Sequence, residues 1–293
     1  MVKKFISGCG TALVTPFREN GSVDYEAYDR MVERQVRAGI DFLVPLGTTA
    51  ETPCLENDEK LRILEITRER ACGKPVVAGC GTNSLKATLA NVRMMEPLGP
   101  DAFLVVVPYY NKPTQEGMYQ YFKAVAESTD KPVVVYNVPG RTGDNMEAAT
   151  TLRLAEIPNI VAVKEASGNM AQIREIIAHA PEDFSVLSGD DGRTADILEA
   201  GGDGLISVAS NIDPDLLITM VHLYMEGHPS DGRMLSDRLV PLFRACFEES
   251  NPIPVKGGLS LLGMCENRMR LPLTPATENT LEIMGKVLRG LGY

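Results

Sequence analysis

Residues 159–170, NIVAVKEASGNM, carry the pattern that decides the fold. The short apolar, β-branched run from Ile160 to Val163 predicts a buried strand, and Lys164 with a polar, glycine-containing cluster follows it. Lysine is almost never buried without a partner, so Lys164 has two interpretations. It either extends its ammonium into water from a strand end, or it is a desolvated amine that can attack a carbonyl carbon.

Similar apolar runs recur along the chain, and amphipathic segments that begin near Asp24, Asn57 and Thr114 separate them. The eight runs are CGTALVTPF, DFLVPLG, PVVAGCG, DAFLVVVPYY, PVVVYNVPG, NIVAVKEA, FSVLSGD and DGLISVAS. Eight alternating strands and helices predict an α/β fold, a (β/α)8 TIM barrel. A doubly wound open sheet is the alternative, but GCGTAL and GCGTNS contain only the first two glycines of its phosphate-binding pattern.

The alternation stops after the eighth unit. Residues 1–225 are therefore predicted to form the catalytic barrel domain. Residues 226–293 contain three helical patterns, RMLSDRLVPLFRACFEE, PVKGGLSLLGMC and ENTLEIMGKVLRG, and no strand pattern. We expect them to form a C-terminal helical domain that packs on the barrel or on a neighbouring chain.

Composition narrows the class of protein. The 293 residues are 44% hydrophobic and 23% charged, as in globular domains, and no uncharged apolar stretch is long enough to span a membrane. The N-terminal MVKKFISGCG lacks the apolar core of a signal peptide, so we expect a cytoplasmic protein. A net charge of -10 disfavours a nucleic-acid partner, because phosphate binding needs clustered lysine and arginine.

The cysteines and histidines give no metal-binding pattern. The six cysteines lie far apart without a C-x-x-C pair, and there are three histidines, of which His179 and His222 are interpreted as structural. A structural zinc site and metal-dependent aldol chemistry are therefore disfavoured. The sequence predicts neither a metal nor an organic cofactor.

Polar clusters follow the successive strands: GTTAE at 47–51, GTNS at 81–84, PYYN at 108–111, YNVPGRTG at 136–143, KEASGN at 164–169, SGDD at 188–191 and SVASN at 207–211. In a (β/α)8 barrel the carboxyl ends of the strands meet on the catalytic face. Lys164 would then be directed at this common site, which favours the nucleophile. GGDG at 201–204 precedes its strand and belongs on the opposite face.

Three further groups have both a chemical and an ordinary interpretation. Tyr136, on the neighbouring strand, can shuttle protons for Lys164 or can be a rim aromatic with a solvated hydroxyl. Thr48 and Thr49 can cradle a small carboxylate or belong to a loop that caps a helix. Arg141 can bind a carboxylate through two hydrogen bonds or can be a solvated loop residue.

Taken in order, the motifs resemble those of the dihydrodipicolinate synthase family, among the class I aldolases that include N-acetylneuraminate lyase. They run from GTALVTPF through GTTAE, PYYNKPTQEG, YNVPGRTG, VKEASGN, LSGDD and GLISVASN to NPIPVK at 251–256 and cover nearly the whole chain. The resemblance implies an aldol condensation of pyruvate with L-aspartate-4-semialdehyde in lysine and diaminopimelate biosynthesis, and a homotetramer built as a dimer of dimers.

The resemblance also implies a role for each matching residue. Lys164 would form a Schiff base with pyruvate, and Tyr136 would relay protons. Thr48 and Tyr110 would complete the relay, with Tyr110 reaching in from the neighbouring subunit. The implied substrate-binding residues are Thr49 for the pyruvate carboxylate, Arg141 for the carboxylate of the semialdehyde, and the backbones of Gly189 and Ile206 beside pyruvate.

Alternative functions remain open at this stage. One is a pyruvate-dependent lyase of N-acetylneuraminate or another 2-keto-3-deoxy sugar acid, but Arg141 in GRTG favours the synthase. Another is a non-catalytic barrel that senses keto acids. A barrel that binds pyridoxal phosphate at Lys164 is disfavoured, because SGDD and SVASN stand where a glycine-rich phosphate site would be expected.

Three residues depart from the family pattern. Ala50 replaces a glycine, and an alanine there would be strained if the position needs a positive φ. Lys60 stands where lysine-regulated members have a histidine, and Ala87 where they have a glutamate. Because a cation replaces the histidine and an acid is lost, we expect weak or absent feedback by lysine. Half-inhibition of turnover by sub-millimolar lysine would contradict this prediction.

Overall fold

Eight parallel strands form a single sheet in the computed structural model, which describes residues 4–293. The strands are β1 Gly8–Ala12, β2 Phe42–Val44, β3 Val77–Gly79, β4 Ala102–Val106, β5 Val133–Asn137, β6 Ile160–Glu165, β7 Ser185–Ser188 and β8 Gly204–Ser207. Seven of them lie within the predicted apolar runs, and β1 begins at Gly8, one residue before the run CGTALVTPF. The predicted strand count is therefore confirmed.

The sheet is closed into a barrel. Its hydrogen-bonded order is β2-β1-β8-β7-β6-β5-β4-β3, and a parallel bridge between Leu43 and Val76 joins the two outer strands. Across the same seam, the Gly79 amide donates to the Pro45 carbonyl at 2.9 Å. The structure is a TIM barrel, and the open doubly wound sheet is excluded.

Strand residues alternate between the barrel interior and the layer beneath the helices. The interior cluster includes Leu104, Tyr136, Ala162, Leu187 and Ile206. On β6, Ala162 therefore faces the interior, and alternation directs Lys164, two residues further on, the same way. The barrel geometry, rather than a loop, fixes the direction of this side chain.

Within residues 4–293, twelve α-helices surround and extend the barrel: α1 Tyr25–Ala38, α2 Asn57–Arg70, α3 Leu85–Met95, α4 Gln115–Ala126, α5 Pro139–Thr142, α6 Ala148–Ala155, α7 Met170–His179, α8 Thr194–Glu199, α9 Pro214–Met225, α10 Pro229–Ala245, α11 Ile253–Leu261 and α12 Glu278–Leu291. Asp24 and Thr114 cap α1 and α4 as predicted. The prediction for α2 is off by one residue. Asn57 is its first helical residue and Glu56 its N-cap, where the Glu59 carboxylate accepts from the Glu56 amide.

None of these helices, in the part of the chain that the structure describes, is long and apolar enough to cross a membrane.

The last three helices share the core of the barrel. Leu239 and Phe243 of α10, Val255 of α11 and Met284 of α12 belong to the same buried cluster as the outward-facing residues of the strands. The extension thus packs on its own barrel. The domain boundary between residues 225 and 226 remains a prediction.

A carboxylate ties neighbouring strands together at three places on the amino-terminal face of the barrel. Asp41, Asp101 and Asp203 each stand immediately before an even-numbered strand: β2, β4 and β8. They accept from the backbone amides of Cys9, Val76 and Val186, respectively, at 2.7 to 2.8 Å. We call these contacts the aspartate clasps. Each clasp joins an even strand to the strand before it.

Each clasp carboxylate also contacts a basic side chain. His222 lies 2.8 Å from Asp41, Lys4 lies 2.8 Å from Asp203, and Arg68 pairs with Asp101. His222 therefore has a structural contact, in line with its interpretation from the sequence. Asp203 belongs to the GGDG segment, which connects α8 to the start of β8 on this face, as predicted.

Candidate active site

Lys164 is a buried amine at the carboxyl end of the barrel. Its residue is 5% exposed, and it lies opposite Tyr136 of β5 and Leu187 of β7 in the sheet register. Burial is the main cause of a lowered pKa at Lys164; Asp191 raises this pKa and Arg141 lowers it, and the net pKa is about 8. The strand continues to Glu165, so Lys164 is not a strand-end residue that extends into water.

The lowered pKa makes a pH dependence testable. The neutral amine is the nucleophile, so we expect the rate of imine formation with limiting pyruvate to rise about tenfold from pH 7 to pH 9. Rapid mixing with pyruvate, a borohydride quench and intact mass analysis would give this profile. A midpoint near pH 8 is expected, whereas a midpoint near 10.5, the ordinary value of a solvated lysine, would contradict the burial argument.

Tyr136 lies against the amine. The centre of its ring is 4.2 Å from the Lys164 Nζ, and the residue is 6% exposed. Burial raises the pKa of Tyr136 to about 12, while Arg141 and the Thr48 hydroxyl favour its ionised form and Asp190 opposes it. The phenol is therefore neutral near pH 7, and a phenolate formed briefly during proton transfer would have a nearby cation.

The GTTAE segment forms a turn directly beyond β2. Thr48–Ala50 is one 3-10 turn, and the Thr49 hydroxyl is buried and accepts from the Asn251 side-chain amide at 3.0 Å. The positive φ of this segment, 54°, falls on Glu51 and not on Ala50. The alanine is therefore not strained, and the concern raised by the departure from the family glycine does not apply.

Arg141 lies in the short helix α5, and its guanidinium donates to the Asn251 carbonyl at 3.1 Å. Thr48, Tyr136, Arg141 and Lys60 all line one cavity of about 300 Å³. Two lining residues are thus cationic, and among the described residues no aspartate or glutamate lines the cavity. Lys164 does not line this cavity, but its Nζ lies 4.2 Å from the ring centre of Tyr136, which does. A cavity of this charge suits a small carboxylate ligand.

Gly189 lies where a side chain would collide with Lys164. A Cβ at position 189 would be 3.0 Å from both the Cγ and the Cε of Lys164 and 2.8 Å from the Cβ of Ala166. Because glycine has no side chain, position 189 leaves room for the side chain of Lys164. Ile206, the other predicted backbone lining, is 1% exposed in the interior cluster.

Tyr110 is the one predicted site residue that the structure does not bring to the others. It is 87% exposed and has a φ of 74°. Its amide donates to the Thr142 carbonyl at 3.2 Å, which ties its backbone to the loop that carries Arg141. Within one chain, its phenol is thus almost fully exposed to solvent.

Asn251 is a site residue that sequence reasoning missed. It contacts Thr49 through its side chain and Arg141 through its backbone, although it lies more than a hundred residues from either. Its side-chain oxygen is buried and has no hydrogen-bond partner among the residues that the structure describes. The sequence signal for it is the NPIPVK segment at 251–256, which belongs to the motifs of the family resemblance.

Two buried carboxylates beside Lys164 were also missed. Asp191 accepts from the Ser207 hydroxyl and from the amides of Val208 and Ala209, which fixes the turn after β8. Glu165 accepts from the Ser167 amide at 2.7 Å and from the side chains of Asn137 and Gln172. Burial raises the pKa of both. From the sequence, SGDD is placed on the catalytic face and Gly189 within it has an implied role, but Asp191 has none.

Between residues 4 and 293, no group of three or more histidine, cysteine, aspartate or glutamate side chains is arranged to hold a metal ion.

A closed (β/α)8 barrel with a buried lysine at the carboxyl end of its sixth strand defines a lyase of the class I aldolase type. The comparisons with known proteins give the particular family. The chain belongs to the dihydrodipicolinate synthetase family, whose model matches residues 5–290.

Individual relatives agree with this assignment. A 4-hydroxy-tetrahydrodipicolinate synthase from Koribacter versatilis is 52% identical over 272 residues, which are 92% of this chain and 91% of that protein. The crystal structure of dihydrodipicolinate synthase from Thermotoga maritima has a TM-score of 0.96 at 46% identity and covers 98% of this chain and 99% of that one. A dihydrodipicolinate synthase from Acinetobacter baumannii, solved with pyruvate, has a TM-score of 0.96 at 38% identity and covers 98% of this chain and 99% of that one.

Proposed function

We propose that this chain is a 4-hydroxy-tetrahydrodipicolinate synthase that condenses pyruvate with L-aspartate-4-semialdehyde, with Lys164 as the Schiff-base residue. The observation that carries the proposal is the buried Lys164 amine, with a pKa of about 8, against the neutral phenol of Tyr136. Relatives of this name match the chain over nearly its full length, and one dihydrodipicolinate synthase of the same fold was solved with pyruvate. The place of the reaction would be lysine and diaminopimelate biosynthesis.

The first half of the reaction forms a nucleophilic carbon. The neutral amine of Lys164 attacks C2 of pyruvate, and the carbonyl oxygen takes up a proton to give a carbinolamine. Tyr136 protonates the departing hydroxyl, which leaves as water, and the C2–N iminium forms. Loss of a proton from the methyl carbon C3 then gives the enamine. The lysine nitrogen accepts the electron pair, so the reaction needs no cofactor.

The second half joins the substrates and frees the enzyme. C3 of the enamine attacks the aldehyde carbon of the semialdehyde, whose oxygen takes up a proton and becomes the 4-hydroxyl group. The amino group of the semialdehyde portion then attacks C2 and displaces Lys164, which leaves as the free amine. The ring that forms contains the new C=N bond, and one water has been released in total.

The surrounding residues have supporting roles in this proposal. Thr48 and Tyr110 would connect Tyr136 to bulk solvent as a proton relay, and Thr49 would bind the pyruvate carboxylate beside the backbones of Gly189 and Ile206. The exposed phenol of Tyr110 supports a relay completed by a neighbouring subunit, within a homotetramer built as a dimer of dimers. In an isolated monomer, the active site would lack the tyrosine that a neighbouring subunit contributes. The cytoplasmic location expected from the sequence stays a prediction.

Arg141 tests the identity of the second substrate. We expect Arg141→Ala to lower kcat/KM for the semialdehyde by about 10²-fold or more, because a charged hydrogen bond to its carboxylate is lost. Coupled assays with the semialdehyde and with N-acetylneuraminate would compare the two activities. Arg153→Ala, which removes an exposed arginine that pairs with Glu116, is the control and should retain activity.

Two results would reject the synthase assignment. One is cleavage of N-acetylneuraminate by the unaltered protein with no condensation of the semialdehyde, which would assign the chain to sugar acid lyases. The other is inertness toward pyruvate and borohydride, which would favour a non-catalytic barrel.

A further inference from the structure

A buried ion pair connects the C-terminal extension to the GTTAE turn. The Lys256 Nζ lies 2.6 Å from a carboxylate oxygen of Glu51, and neither side chain is exposed. Among the ion pairs formed within residues 4–293, this is the only one in which both side chains are completely buried. It joins α11 to the residue that directly follows Thr48–Ala50.

The contacts around this pair come from three parts of the chain. The second Glu51 oxygen accepts from the Arg270 amide at 3.0 Å, so both oxygens are held by the extension. Two cations lie close to the Phe17 ring, with Lys256 Nζ at 4.2 Å and the Arg270 guanidinium at 4.6 Å from its centre. The Glu51 carboxylate is thus fixed in a desolvated, charged cluster.

The backbone of Glu51 is in a conformation that needs such support. Its φ and ψ are 54° and 35°, in the left-handed region that residues other than glycine rarely adopt. Its amide donates to the Thr48 carbonyl at 3.1 Å, which closes the turn that carries both threonines. A displacement of Glu51 would therefore be passed directly to Thr48 and Thr49.

A gain in folding stability is a poor explanation for the presence of this buried ion pair. Two buried charges lose hydration, and well-packed apolar residues of similar size are often as stable or more stable. What a buried pair provides is a fixed distance and direction, and a strained backbone is commonly held in this way beside a functional site. The pair lies at such a place, one residue beyond a turn that lines the cavity.

We infer that Glu51 and Lys256 are positioning residues that hold the Thr48–Thr49 turn in register with Lys164 and Tyr136. This inference rests on the proposed function, because it concerns the geometry of the pyruvate site. The extension is then a part of the catalytic unit, although it contributes no reacting atom. A positioning role affects binding of pyruvate more than the chemistry at the amine.

The test separates positioning from folding. Lys256→Met removes the cation and leaves Glu51 buried and unpaired, so it can impair folding. The double variant Glu51→Gln with Lys256→Met leaves neither charge. We expect the double variant to unfold within a few degrees of the unaltered protein and to show a KM for pyruvate raised about tenfold or more, with a smaller change in kcat. Lys286→Met is the matched control, because its pair with Glu282 is exposed on α12.

Each result for the double variant either supports or overturns the positioning role of Glu51 and Lys256. A raised KM for pyruvate in the double variant, with the control unchanged and imine trapping on Lys164 retained at saturating pyruvate, supports positioning. A double variant with an unchanged KM would overturn it, as would a loss of stability and activity in proportion, because the pair would then be structural only. Failure of the unaltered protein to be trapped by pyruvate and borohydride is a different result, since it rejects the proposed function itself.

Discussion

Lys164→Ala is expected to abolish both turnover and imine trapping. Without the amine no covalent intermediate can form, and we expect kcat/KM to fall by a factor of at least about 10⁴. The measurement is intact mass after treatment with pyruvate and borohydride, followed by peptide mapping. The unaltered protein should carry one reduced pyruvate adduct on Lys164, and the variant should carry none.

A second buried lysine makes the mapping selective. Lys256 is also buried, and burial lowers its pKa, but the Glu51 carboxylate at 2.6 Å acts in the opposite direction and occupies its Nζ in a direct ion pair. No adduct is therefore expected on Lys256. If burial alone determined reactivity toward pyruvate, both lysines would be modified. An adduct on Lys256, or full turnover by Lys164→Ala, would refute the assignment of Lys164 as the Schiff-base residue.

The free energy of unfolding provides a control for the folding of variants at Lys164. The Lys164 amine has a pKa of about 8 in the folded protein and an ordinary value of 10.5, so the unfolded chain binds more protons between these values. The stability of the unaltered protein should therefore rise between pH 8 and pH 10.5, and below pH 8 the full cost of the buried charge is present. Lys164→Met should raise the free energy of unfolding at pH 7 by about 1–3 kcal/mol while it removes activity.

Tyr136→Phe is the second large effect that we expect. It keeps the ring beside Lys164 and removes only the hydroxyl, so the proton that leaves with water has no donor. We expect kcat to fall by about 10²- to 10⁴-fold with a small change in the KM for pyruvate. Stopped-flow formation of the imine should slow by a similar factor, because dehydration of the carbinolamine becomes limiting.

Tyr28→Phe is the matched control for this change. Tyr28 is also buried, and its hydroxyl lies 2.7 Å from that of Thr67, so the same substitution removes a similar group from the contact between helices α1 and α2. Its activity should stay within about twofold, whereas its stability should fall by about 1 kcal/mol. Equal losses of activity in both variants would indicate general damage to the core and would contradict the relay.

The features of the fold and the site that depend on residues close together in the sequence could be predicted from the sequence. The eight strands follow from short apolar runs, and the direction of Lys164 follows from alternation within β6 and from the common face of a parallel barrel. Ala50 shows the limit of this approach, since which residue of a turn takes the positive φ depends on contacts from elsewhere. Here those contacts reach Glu51 from residues 256 and 270.

The remaining parts of the site depend on contacts between distant residues. Asn251 meets Thr49 and Arg141 only because the extension folds back over the barrel, and no periodicity in the sequence reports such a pairing. Tyr110 is a related case, because the fold of one chain leaves it exposed and apart from the other predicted site residues. Its implied role came from the resemblance and needs an assembled oligomer to be tested.

The aspartate clasps suggest how this scaffold would respond to directed evolution. They join strand pairs at the end of the barrel opposite Lys164, through carboxylates that take no part in the proposed chemistry. The loops that select the second substrate can therefore be exchanged or lengthened without disturbing these contacts. Libraries restricted to the catalytic face should retain a high proportion of folded variants. Libraries that randomise Asp41, Asp101 and Asp203 should contain few folded variants, and so few in which a new activity could appear.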